Sequence, residues 1–188
     1  MPQAINILRT NYLPQRRNFL YVTKKTTIPG PVTNQIAINF AAIDFNPDSG
    51  WQNQEFISLT NSTAVAVDLS GWKLTGGVTH RFAAGTVLPV KGSIYLSPDV
   101  NAFRKRSSGP KGGQRLFIQG NYQGQLSARG ETLTLRDNQD QVVQTFTYPG
   151  QPTQAQQSLR ISEIMYAPPD PNQPGLSSDD LEYVTPIR

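Results

Sequence analysis

The chain has 188 residues, 37% of them apolar, with no cysteine and a single histidine, His80. That composition suits one ordinary domain with tails or two very small ones, and it excludes disulfides, thiolate nucleophiles, sulfur-based zinc sites and multi-histidine metal sites. The net charge of +4 is unevenly spread: residues 1–35 hold Arg9, Arg16, Arg17, Lys24 and Lys25 with no acid, residues 36–150 are close to balanced, and residues 151–188 are acidic.

No apolar run approaches the roughly 20 residues of a membrane helix, and the opening residues lack the apolar stretch of a secretory signal, so no membrane insertion is expected. Ile5, Leu8 and Tyr12 fall at near-helical spacing, and Pro14 suits a first helical position ahead of residues 15–23. One or two short helices are expected there. Ile28-Pro29-Gly30-Pro31 then reads as a linker, since proline fixes extended geometry and glycine permits a turn.

From Ile36 the apolar period becomes two. Ile36, Ile38 and Phe40 share one parity and Ile43 and Phe45 the other, which predicts a β-bulge near Ala41-Ala42. Further strands are expected at 56–59, 65–67, 72–74, 78–82, 93–96, 115–119, 131–136 and 142–148. Such a run of short strands with frequent turns predicts an all-β sandwich. Leu133 and Leu135 alternate with Thr132 and Thr134, so the leucines face inward and are expected to share a core with Trp72. Asp137-Asn138-Gln139-Asp140 is the expected hairpin turn, and residues 99–105 are the one helical candidate inside the domain.

Residues 151–160 are polar and interrupted by proline, and read as a second linker. After it the pattern restarts: Phe40, Ile43 and Phe45 align with Ile161, Ile164 and Tyr166, and Glu55-Phe56-Ile57 aligns with Glu182-Tyr183-Val184. Residues 161–188 are thus expected to be the truncated start of a second similar domain, in a piece of a longer protein. Two opening strands without those that should follow leave apolar faces uncovered, so this segment is expected either to dock as an extra strand on its own sandwich or, as the favoured outcome, to self-associate with a neighbouring molecule.

Asp68-Leu69-Ser70-Gly71-Trp72 combines turn formers with a large apolar anchor. Before it stand Glu55-Phe56-Ile57-Ser58-Leu59 and Asn61; after it come Phe82-Ala83-Ala84-Gly85-Thr86-Val87-Leu88-Pro89 and Gly130-Glu131-Thr132-Leu133-Thr134-Leu135. In that order and spacing the motifs resemble the lamin tail domain over residues 36–150. The resemblance implies an immunoglobulin-like β-sandwich, present in nuclear lamins and in bacterial exported multidomain proteins as an accessory module without catalytic residues. No cofactor and no enzyme activity are implied. Tyr12-Leu13-Pro14-Gln15-Arg16-Arg17-Asn18-Phe19-Leu20-Tyr21 is similar to the end of the spore-coat protein H kinase-like domain, which implies that residues 1–35 are the helical remnant of a preceding domain plus linker. The expected role is spacing, tethering or partner binding within a larger exported bacterial protein, with an extracellular or cell-envelope location and a protein or envelope partner.

Residues 104–113 form a basic insert. Arg104, Lys105, Arg106, Lys111 and Arg115 could neutralise phosphates, with Phe103 or Phe117 as a stacking surface, so nucleic-acid or polyanion binding is an alternative function; a solvated loop is the plainer reading. Carbohydrate binding is a third possibility, resting on a coplanar platform from Tyr95, Trp51, Tyr122 and Phe117. His80 reads as a packed or edge residue, and no Gly-x-Ser-x-Gly elbow accompanies Ser70, Ser93 or Ser162. Asp44, Asp48, Asp68, Asp137 and Asp140 show no calcium-loop spacing, and Asn61-Ser62-Thr63 fits the glycosylation triplet.

Overall fold

The computed structural model describes residues 2–29, 36–158 and 160–187, so Gly30 and Pro31 of the expected first linker lie outside the described residues. The chain opens on a helical stretch in which α1 (Pro2–Ile7) and α2 (Leu13–Asn18) alternate with π-helical turns at Leu8–Tyr12 and Phe19–Thr23. Pro14 has no N–H to offer Thr10, and just ahead of it the ladder widens, with Leu13 N–H donating to the Leu8 carbonyl. Beyond the helix the chain lies along the sandwich: Ala66 N–H donates to the Lys25 carbonyl (2.9 Å) and Val90 N–H to the Thr26 carbonyl (3.0 Å).

The strands of the domain are β1 (Ile38–Asp44), β2 (Phe56–Asn61), β3 (Val67–Asp68), β4 (Lys73–Thr75), β5 (Val78–Arg81), β6 (Val87–Leu88), β7 (Ser93–Ser97), β8 (Phe117–Gly120), β9 (Gln123–Gly124), β10 (Glu131–Arg136) and β11 (Val142–Tyr148). Among the described residues they form a four-stranded sheet, β1-β2-β7-β8, and a five-stranded sheet, β11-β10-β4-β5-β9, with β3 and β6 paired beside them. All pairs are antiparallel except β7 with β8, whose connection carries the helix α3 (Val100–Arg104) and the basic insert. This is an all-β, immunoglobulin-like sandwich with a short helical N-terminus.

The register of β1 on β2 shifts between Phe40 and Ala42, where the change of parity predicts a bulge. The bulge lets one strand present Ile38 and Ile43 to the same interior. Trp72, Leu133 and Leu135 are buried in one cluster with Ile57, Leu59, Leu74, Leu96 and Tyr148. Trp72 is delivered by its turn: Asp68 Oδ1 accepts from Ser70 N–H (2.9 Å), Gly71 takes φ of 75°, and Trp72 and Phe82 then pair through the Phe82 N–H (3.0 Å). Stacked pairs Phe40 with Phe146 (5.5 Å between centroids) and Phe45 with Tyr148 (5.0 Å) close the sandwich between β1 and β11.

Three details differ from the sequence reading. The strand expected at 65–67 is displaced to Val67–Asp68, because Ala66 N–H is taken by Lys25. Strands β6 and β9 are two residues long, too short to show a period. Asn61, in the glycosylation triplet, is fully buried, with Nδ2 donating to the carbonyls of Val65, Leu88 and Pro89, so in the folded chain it is a clamp between loops and no acceptor for sugar.

Residues from Gln151 onward form a separate compact unit. It holds a helical turn, α4 (Gln154–Ser158), and the hairpin β12 (Arg160–Met165) with β13 (Tyr183–Ile187). Its register repeats that of β1 and β2 position for position: Ile164 faces Val184 as Ile43 faces Ile57, and the register shifts between Ile161 and Glu163 as it does between Phe40 and Ala42.

Candidate functional site

The basic insert leaves the domain at α3, a single short helix capped by Asp99, whose Oδ1 accepts from the N–H groups of Asn101 (2.7 Å) and Ala102 (3.0 Å). The cap sets α3 against the outer face of the four-stranded sheet, where Phe103 meets Phe56 and Tyr95 with ring centroids 5.7 and 5.8 Å apart. Arg106 follows one turn later and is only 7% exposed. Its guanidinium donates to Asp44 Oδ2 (2.6 Å), to the Gln54 carbonyl (2.6 Å) and, through Nε, to the Pro110 carbonyl (2.9 Å), while lying over the Phe56 ring at 4.9 Å. A planar fork with five donors is the side chain that can meet three acceptors in one buried place.

With Arg106 as anchor, the rest of the insert is held back on α3. Gly112 N–H donates to the Arg104 carbonyl (3.0 Å), an approach so close that a Cβ at Gly112 would stand 2.6 Å from that oxygen. Gln114 Oε1 accepts from Lys111 N–H (2.7 Å) and closes the loop on itself. Arg115 then turns the chain into β8 with φ of 54°, a left-handed conformation uncommon outside glycine.

Three of the five expected polyanion-binding residues are brought together by this loop. Arg104, Lys111 and Arg115 line a groove of about 370 Å³ whose floor is Phe103, Leu116 and Ile118. No ion pair engages these three cations among the described residues. Lys105 is exposed but does not line the groove, and Arg106 does not belong to the set, because its charge is already matched by Asp44 in the interior. Neither expected stacking surface lies open over the groove: Phe103 is 1% exposed, and Phe117 is 40% exposed but not part of the lining.

The expected sugar platform does not assemble from the four aromatics. Tyr122 is buried, Tyr95 is held in the cluster with Phe56 and Phe103, and Trp51 and Phe117 are exposed without a ring contact between them among the described residues. Of the five aspartates, Asp44 pairs with Arg106 and Asp140 with Lys73 (3.1 Å), while Asp68 and Asp137 accept from the amides of their own turns. Asp48 accepts from Ser108 Oγ at 3.2 Å.

The ionisable groups of the interior are struts. Glu55 is 1% exposed; its carboxylate accepts from Tyr122 Oη (2.7 Å), Leu126 N–H (3.1 Å) and the Gln52 amide. Burial raises its pKa, and the three donors oppose that rise without cancelling it. Tyr148 Oη donates to Glu131 Oε1 (2.8 Å), and burial pushes the Tyr122 and Tyr148 hydroxyls up, with the neighbouring carboxylates adding to the effect. His80 packs edge-on to Phe82 at 5.1 Å; burial lowers its pKa against a hydrogen bond with Gln119. In sequence Glu55 is visible only as part of a motif. An acid opening an apolar strand with no cation beside it was the available sign of a buried carboxylate.

Two packed sheets and ionisable side chains engaged in holding loops together define a noncatalytic immunoglobulin-like module with a basic groove on one loop. The lamin tail domain family model matches residues 31–150, and the chain belongs to that family, a noncatalytic immunoglobulin-like domain. None of the curated proteins compared with the chain matches it.

Proposed function

We propose that the chain is a tethering module that holds a larger exported bacterial protein to an anionic partner through the groove of Arg104, Lys111 and Arg115. The observation that carries this reading is the gathering of those three cations, none ion-paired, over an apolar floor on a loop pinned by Arg106. A loop already ordered loses little entropy on binding, which favours a real contact surface over a solvated run of charge. The similarity of residues 12–21 to the end of the spore-coat protein H kinase-like domain supports placing the module downstream of such a domain, in the extracellular or envelope space.

Retention on heparin-agarose tests the reading. The double variant Lys111→Glu, Arg115→Glu should elute at clearly lower salt than the double variant Arg9→Glu, Arg16→Glu, which makes the same change in net charge on the N-terminal helix. Equal elution of the two would mean that net charge alone attracts the chain to anions, and the groove would have no role.

A further inference from the structure

The groove borders an unpaired strand. β8 ends the four-stranded sheet, hydrogen-bonded to β7 on one side and, among the described residues, to no backbone on the other. Asn121 N–H donates to the Ser97 carbonyl (2.9 Å), and in a parallel pair the main-chain groups of successive residues point alternately to either side. Phe117 and Gln119 therefore turn their N–H and C=O toward β7, and Ile118 and Gly120 turn theirs to the open edge. Ile118 belongs to both features: its side chain is in the floor of the groove and its main chain is on the edge.

Open edges are usually blunted by charge aimed along them, by bulges or by a covering element. Here the flanking charges line the groove, as though placed for a ligand's side chains. Resting on the tethering reading above, we propose that β8 takes an extended acidic peptide as an added strand, its carboxylates meeting Arg104, Lys111 and Arg115 and an apolar side chain on the same face seated on Leu116 and Ile118. Strand addition supplies affinity through main-chain bonds, and alternate side chains reaching one face supply selectivity. A nucleic-acid strand fits less well: three cations make a short phosphate track, and the floor ring, Phe103, is 1% exposed and has no face to offer a base.

The probe is the octapeptide Thr-Glu-Thr-Val-Thr-Glu-Thr-Glu, which as an extended strand turns its glutamates and its valine to one face, titrated into the full chain with amide hydrogen exchange followed at Ile118 and Gly120. Binding should slow exchange at those two amides. It should weaken about tenfold in the Lys111→Glu, Arg115→Glu variant, the loss expected for two exposed charge pairs. The same octapeptide N-methylated at alternate residues keeps its charge but loses main-chain donors, and should bind at least about tenfold more weakly; this arm leaves the protein untouched, so no folding defect can mimic it. Equal binding of the methylated peptide, or binding without protection at Ile118 and Gly120, overturns strand addition. If a thymidine oligonucleotide binds through the groove and the peptide does not, the ligand is a nucleic acid and this proposal fails while the tethering reading stands. If heparin retention is also independent of the groove, both fail.

Discussion

Arg106 and Arg115 belong to one basic insert and end in opposite surroundings. Arg106 is withdrawn beneath the loop, matched by Asp44 and by the carbonyls of Gln54 and Pro110, while Arg115 stands exposed with Arg104 and Lys111 around an apolar floor. Local charge density is the same for both. What separates them is a partner on β1, 62 positions earlier in the chain, and the comparison teaches that a cation's job is decided by what the fold brings to it. One arginine ties the loop to β1 and the loop before β2, while its neighbours line the groove.

The largest effects should come from the interior. Trp72→Ala should cost about 3–5 kcal/mol in denaturant unfolding, as truncation of a core aromatic does, and it sets the scale for a purely apolar anchor. Arg106→Ala should approach that scale at about 3 kcal/mol, the lower end for breaking a buried ion pair, since the Asp44 side chain keeps 23% exposure and some access to water. A loss below about 0.5 kcal/mol, within the range of ordinary surface changes, would place Arg106 with its exposed neighbours and erase the contrast.

Acidity sharpens the comparison at the other buried ion. Burial holds the Glu55 carboxyl above its ordinary 4.5, so the folded chain binds that proton more tightly than the unfolded chain. Its contribution to stability is full below about 4.5 and is lost as the pH rises through the raised value. His80 works the other way: held below 6.5, it contributes fully above that pH and less as the pH falls. Unfolding free energies of wild type and Glu55→Gln across pH 4 to 8 separate the two groups, and the variant should lack the loss that starts near 4.5. Parallel curves would remove Glu55 from the pH response.

The smallest expected effect is on the C-terminal unit. Removing residues 151–188 should leave the melting of the sandwich nearly unchanged and reduce self-association in sedimentation, because Ile161 and Ile164 are each 62% exposed while their counterparts in the first hairpin, Phe40 and Ile43, are partly buried against the core. Unfolding on truncation would make the segment part of the core.

The two hairpins also show what the sequence makes legible. Register and bulge follow from the alternation of a few apolar side chains, and the same parity change yields the same shift at Phe40/Ala42 and at Ile161/Glu163. The core position of Trp72 follows from its turn. The two-residue strands β6 and β9 were not legible, since a period needs more than one repeat. The site was half legible: counting charges marks the insert, but only the fold assigns Arg106 to Asp44, buries Phe103 beneath the groove and sets Ile118 at an open edge.

The division of labour within the insert is tested most directly by three charge-matched variants on the same heparin matrix. Arg115→Gln and Arg104→Gln each remove one groove cation, and Arg106→Gln removes the anchor, so all three lower the net charge equally. At a temperature where all three remain folded, the account predicts that both groove variants elute at distinctly lower salt than wild type and that Arg106→Gln elutes with a smaller shift, while only Arg106→Gln melts at a markedly lower temperature. Equal elution shifts for all three, with equal melting temperatures, would contradict it.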